Sequence, residues 1–209
     1  MADVTKNGIV VNPSAGSGDT TLKVKAQVAN RGNRVKQTAT FTVTAPGVSE
    51  PKTFVANHLP AAEFVSFDNG STMAVEKGGG VVTITGKSNS AKLTFTKGSG
   101  EIIPADIASL EYQANGSAAT NGVDIEGDPG AMAQYEFTLT LDAVANETIE
   151  GKTQQIVVQG ASTSVKATIT LNQTAGDPTL EVSPVSVDVP QDGSEVSVQV
   201  TTNTSFTVA

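Results

Sequence analysis

Two stretches of this chain each occur twice. GGVVTITGKSNSAKLTF at 79–95 resembles GSEVSVQVTTNTSFTV at 193–208, with Asn89 falling on Asn203, a spacing of 114. LKVKAQVANRGNRVKQTATFTVT at 22–44 resembles FTLTLDAVANETIEGKTQQIVVQ at 137–159, with Val28-Ala29-Asn30 falling on Val144-Ala145-Asn146, a spacing of 116. Self-similarity at one period marks an array of structural units. Residues 61–176 then read as one whole module of ordinary domain length. Residues 1–60 read as the second half of such a module, and 177–209 as the first half of a further one. A half sandwich cannot bury its apolar face alone. The pattern predicts an assembly protein rather than an enzyme. The last half would be completed by residues 1–60 of the same or a neighbouring chain, or by sequence continuing past Ala209.

The units themselves are β. Strict alternation of apolar and polar residues, the strand signal, runs through the chain. It places Leu22, Val24, Ala26 and Val28 on one face, and likewise Ala39, Phe41 and Val43. Ala91, Leu93 and Phe95 alternate in the same way, as do Tyr135, Phe137, Leu139 and Leu141. Val165, Ala167, Ile169 and Leu171 form one inward set, and Val196, Val198 and Val200 another. Gly, Pro, Asn and Asp clusters separate the runs, as turns require. GSG at 16–18 and at 98–100 reads as a hairpin turn in both places, since neither is followed by the Lys-Ser/Thr of a phosphate loop. A helix is expected only in IIPADIASLEYQ (102–113), with Pro104 at its first position and Ile107 and Leu110 one turn apart. The stretch 114–133 reads as a loop, and about 97–134 as an insertion. The expected fold is all-β: tandem immunoglobulin-like β-sandwich modules, with one short helix in the insertion.

The residue content narrows the chemistry. There is no Cys, which excludes disulfides and thiolate metal sites. No apolar run is long enough to span a bilayer as a helix, and MADVTKNG has no apolar stretch of a leader peptide. The formal charge is −8, which argues against a dedicated nucleic-acid binder. It is unevenly spread: residues 1–60 hold seven Lys or Arg against Asp3, Asp19 and Glu50, whereas 177–209 hold five acids and no base. Lys23, Lys25, Arg31, Arg34 and Lys36 are the interaction candidates, a basic cluster without the interleaved aromatics that stack on bases. Asp124, Glu126 and Asp128 in NGVDIEGDPG resemble the opening of a calcium loop, but Pro129 and Tyr135 stand where an EF-hand needs Gly and Glu. They remain a weak Ca²⁺ candidate. His58, the sole histidine, sits in a stretch read as an inter-module linker and has no expected catalytic partner. No catalytic residue and no cofactor is assigned.

At DGSEVSVQVTTNTSFTV, IVVNPSAGSGD (9–19), ANRGNRVKQTATFTVTA and KATITLNQTAG, with Gln173 at the closing position, the chain resembles the BACON-type immunoglobulin-like modules of Bacteroidetes and their phages. The family's usual aromatic-strand Trp is replaced by Phe206 in the last module and by Leu93 or Phe95 in the middle one. BACON modules are often proposed to bind carbohydrate. With no Trp and two Tyr, this chain is poor in the exposed rings that a sugar platform uses. The resemblance implies, instead, a structural protein of Bacteroides-infecting, crAss-like phages. The expected role is an auxiliary capsid (decoration) or head-fibre subunit, assembled in the host cytoplasm and residing in the virion. Its expected partners are the major capsid protein or other virion proteins and neighbouring copies of itself, without nucleic acid or membrane. A carbohydrate-binding module of a Bacteroidetes surface protein, or a tail component, is the alternative.

Overall fold

The computed structural model describes residues 2–104, 106–107 and 110–209. Its first strands are Val4–Lys6 (β1), Ile9–Asn12 (β2), Lys23–Ala26 (β3), Gln37–Val43 (β4) and Lys52–His58 (β5). β1, β2 and β3 form one antiparallel sheet in that order, and β4 and β5 a hairpin. Asn7-Gly8, both at positive φ, closes the two-residue turn between β1 and β2. That is the chemistry a tight hairpin demands, because Asn and Gly tolerate the left-handed region. Ile9, Val11, Ala39 and Phe41 pack as a small core, with Val4, Phe54 and Ala56 against it. The Phe41 and Phe54 rings stack at 5.3 Å.

The central unit is larger and well filled. It comprises Val65–Phe67 (β6), Thr72–Val75 (β7), Gly80–Ser88 (β8), Thr94–Lys97 (β9), Glu111–Ala114 (β10), Ser117–Thr120 (β11), Tyr135–Ala143 (β12), Lys152–Gln159 (β13) and Lys166–Gln173 (β14). One sheet runs β11-β10-β12-β8-β6, the other β7-β14-β13-β9. With β6 as A, β7 as A′, β8 as B, β9 as C, β10 as D, β12 as E, β13 as F and β14 as G, this is the ABED and A′GFC order of an immunoglobulin sandwich. β7 pairs with β14 in parallel and the remaining pairs of both sheets are antiparallel. Alternation delivers the core: Ile84, Phe95, Phe137, Leu139, Ile156, Val158, Ile169 and Leu171 are all buried. Phe95 lies edge-on to both Tyr112 and Phe137, with centroids at 5.1 and 5.7 Å. Gly86 of strand B leaves the room that the Phe137 ring fills.

Beyond it, Leu180–Ser183 (β15) and Gln199–Thr202 (β16) form an antiparallel pair. No residue of 177–209 is buried. Each sheet lies wholly within 4–58, 65–173 or 180–202. The fold is therefore all-β and sandwich-type, as alternation predicted.

Several local expectations differ. The segment 102–113 is not a helix throughout, since Glu111–Ala114 is strand β10. Ala105, Ala108 and Ser109 of that expected helix lie outside the described residues. The stretch 114–133 is not a plain loop. Asn115-Gly116, at positive φ, turns β10 back into β11, and Pro129–Met132 forms a one-turn helix (α1). GSG at 98–100 is no hairpin turn: Gly98 donates its N–H to the Gln155 carbonyl, and the buried Gln154 amide donates to the Gly98 and Gly100 carbonyls. His58 ends β5 opposite Gln37 rather than lying in a linker.

The faces expected to point inward on the flanking units are open. Leu22, Val24, Val28 and Val43 are exposed, and so are Val196 and Val198. The physical reason is an uncovered strand. Among the described residues, β3 has no strand beside it corresponding to B, and β16 has none corresponding to E.

Candidate functional site

The repeat has a structural counterpart at the joints between units. Asn89 follows strand B of the central unit and is fully buried. Its amide nitrogen donates to the carbonyls of Gly32 and Ala62, both at 2.9 Å, and its amide oxygen accepts the Phe64 N–H at 2.8 Å. One side chain thus ties together the preceding unit's loop, the linker and its own unit's first strand. Asn203 does the same one period later. It donates to the carbonyls of Glu147 at 2.7 Å and Asp177 at 2.9 Å, and accepts the Thr179 N–H at 2.9 Å. The neighbours repeat too. Ser88 Oγ donates to the Phe64 carbonyl and accepts the Ser90 N–H, as Thr202 Oγ1 does with Thr179 and Thr204.

The loop on the other side of each joint is held by a second asparagine. Asn30 donates to the Asn33 and Leu59 carbonyls and accepts the Asn33 N–H. Asn146 donates to the Glu150 and Thr174 carbonyls and accepts the Thr148 N–H. Ala61 N–H then bonds the Asn33 carbonyl, and Gly176 N–H the Thr148 carbonyl, both at 2.7 Å. Buried amides satisfied on all sides fix geometry more than solvent-exposed ones, because each unmade bond carries a desolvation penalty. The signal for these joints is present in the sequence as Ser-Asn-Ser at 88–90 and Thr-Asn-Thr at 202–204. In the sequence those residues mark only the period; their bonding partners lie far along the chain.

The basic cluster does not act as one patch. Lys23 and Lys25 are exposed on β3, flanking Val24, and Arg31 and Lys36 are exposed beside the first joint. Arg34 enters that joint instead. Its guanidinium makes a two-pronged ion pair with the Asp128 carboxylate and its Nε donates to the Asn89 carbonyl. The helix α1 loop backs this up, with the Ala131 carbonyl accepting the N–H groups of Arg34 and Val35 and Gln134 donating its N–H to the Arg31 carbonyl. At the second joint Lys77 pairs with Asp177 at 2.5 Å.

Of the calcium candidates, Asp128 faces Arg34, and Asp124 lies 3.9 Å from Lys92. Among the described residues no group of three or more His, Cys, Asp or Glu is placed to hold a metal ion. Tyr112 and Tyr135 are both buried, so neither ring is a platform for a sugar. Tyr135 Oη donates to the Ser90 carbonyl, and Tyr112 Oη accepts the Leu93 N–H. Burial pushes both phenols above the ordinary tyrosine range.

A comparison with protein families finds no match, and one with curated proteins finds none. Among solved structures, a protein from Bacteroides thetaiotaomicron determined by NMR matches 64% of this chain and 96% of its own, at 13% identity and a TM-score of 0.29. The crystal structure of Rst D1-D2 matches 77% of this chain and 73% of its own, at 10% identity and a TM-score of 0.30. At those scores the fold assignment rests on the strand order itself.

Proposed function

We propose that the chain is a non-enzymatic structural protein of a phage virion, an auxiliary capsid (decoration) or head-fibre subunit. One observation carries the structural part of this reading: the same hydrogen-bonded asparagine joint occurs at Asn89 and again at Asn203. A repeated joint sets each sandwich on the last in a defined way, which is how an array presents faces and strand edges to a surface. Exposed edges and apolar strand faces are docking elements. The virion part rests on the resemblance to BACON-type modules of phage structural proteins. The buried tyrosines weigh against the carbohydrate-binding alternative.

Arg31 and Lys36, exposed beside the first joint, would meet the acidic exterior of a capsid protein, steering contact more than adding affinity. The test is mass spectrometry and immunogold labelling of purified virions from a phage encoding the chain. Stoichiometric incorporation and labelling on the head support the reading. Absence from virions, with the chain instead on a bacterial surface, refutes it.

A further inference from the structure

The apolar faces left open at the two ends of the chain have counterparts in the closed core of the central unit. Strand B of that unit, β8, pairs with strand E, β12, so that Val82 faces Leu141, Ile84 faces Leu139 and Gly86 faces Phe137. Shifted by the period, β16 and the residues before it stand for strand B: Val196, Val198 and Val200 correspond to Val82, Ile84 and Gly86. The pairing of β15 with β16 supports this register. Leu180 faces Thr202 and Val182 faces Val200, as Val65 faces Ser88 and Phe67 faces Gly86.

At the other end, matching apolar face to apolar face sets β3 as strand E. Leu22, Val24 and Ala26 then correspond to Phe137, Leu139 and Leu141 at a spacing of 115, one residue less than the 116 that separates Asn30 from Asn146. The register of β4 with β5 agrees: Phe41 faces Phe54 as Ile156 faces Ile169. Among the described residues, the first unit thus holds E, F and G, with β1 and β2 on the other side of E, and no strand at the B position, and the last holds A and B and no strand at the E position. The open residues are the ones the absent partner would cover. Val24 is 45% and Val198 43% exposed, whereas their counterparts Leu139 and Ile84 are at 0%.

We propose that the 180–208 end of one chain seats on the β3 edge of a second copy, residues 196–200 pairing antiparallel with residues 22–26, so that two partial sandwiches make one complete unit and chains join head to tail. In this register Val198 faces Val24, Val196 faces Ala26 and Val200 faces Leu22. Charge agrees with a second copy as the occupant. Residues 177–209 carry five acids and no base, and residues 1–60 seven bases against three acids. Lys25 falls opposite Ser197 and diagonal to Glu195, within reach of a long side chain across a sheet. Volume agrees too: Phe67 and Phe137 crowd around a glycine in the central unit, and Val182 and Leu22 would flank Val200 in the composite one. Such a contact is heterologous, so it yields rings or open chains rather than a closed dimer.

The chain has no cysteine, which makes thiol cross-linking unambiguous. Val24→Cys and Val198→Cys chains are mixed and treated with a short bifunctional thiol reagent. Covalent dimers are expected at least tenfold faster in the mixture than in either variant alone. A Val24→Cys, Val198→Cys double variant is expected to give a ladder of multimers. A chain carrying Val81→Cys, on the outer face of β8, is the control for random collision. Sedimentation of the parent should show mass rising with concentration, and Val198→Asp should abolish that rise while the central unit melts as before. Cross-linking no faster than the control, a double variant that links only within one chain, or a parent that stays monomeric at high concentration would each overturn the proposal.

Discussion

Replacing Asn89 by alanine removes three hydrogen bonds from a site with no solvent access. The Phe64 N–H and the carbonyls of Gly32 and Ala62 lose their partner together. A buried hydrogen bond contributes about 1 kcal/mol net, and groups left unpaired cost somewhat more. The expected loss is about 3 kcal/mol. For a unit of this length that lowers Tm by roughly 10 °C. The same change at Asn203, whose bonds are partly open to water, should cost under about 1 kcal/mol, because solvent replaces the amide. Denaturant unfolding followed by tyrosine fluorescence reads the central unit directly, since both tyrosines lie in its core. Small-angle scattering then reads the joint: the parent should hold one angle between its first two units, and the Asn89→Ala chain a spread of angles. An Asn89→Ala chain that melts within about 0.5 kcal/mol of the parent, with unchanged scattering, would refute the claim that this amide carries the joint.

Leu139→Ala should destabilise the central unit by about 3 kcal/mol, while Val24→Ala, at the corresponding but half-exposed position, should cost under about 1 kcal/mol in dilute protein; equal losses would show that the two positions are not counterparts. Gly86→Ala would push a methyl into the Ser66 carbonyl and the Phe137 ring, costing about 3 kcal/mol, whereas Gly78→Ala meets open space and should be neutral or slightly stabilising. The buried tyrosines set an alkaline limit. Their pKa values are raised in the folded state, so the protein is fully stabilised below pH ~10, where free tyrosine titrates, and loses stability as pH rises above it. Ultraviolet titration should show tyrosinate appearing only with unfolding, and gradual ionisation of a folded chain would contradict the burial.

Strand positions on the central unit were legible because alternation is local: a period of two decides which side chains share a face, whatever lies opposite. Phe137, Leu139, Ile156 and Leu171 are buried as that period requires. The same alternation set Val24, Val196 and Val198 inward, and all three are exposed. A face is buried only when a second sheet or strand covers it, and spacing along one strand carries no information about that cover. The β10–β11 hairpin has its own local signal in Asn115-Gly116, hidden within a stretch whose Gly, Ala and Asn content reads as loop.

The period, the β character of each unit and the apolar face of each strand follow from residue spacing along one chain. Which faces are covered, the departure of Arg34 from the basic cluster to Asp128 and Asn89, and the tying of successive units by Asn89 and Asn203 all arise from packing between distant segments. Those outcomes depend on residues brought together from distant parts of the chain, such as Asn89 with Gly32, and no local pattern specifies where a buried amide finds its partners.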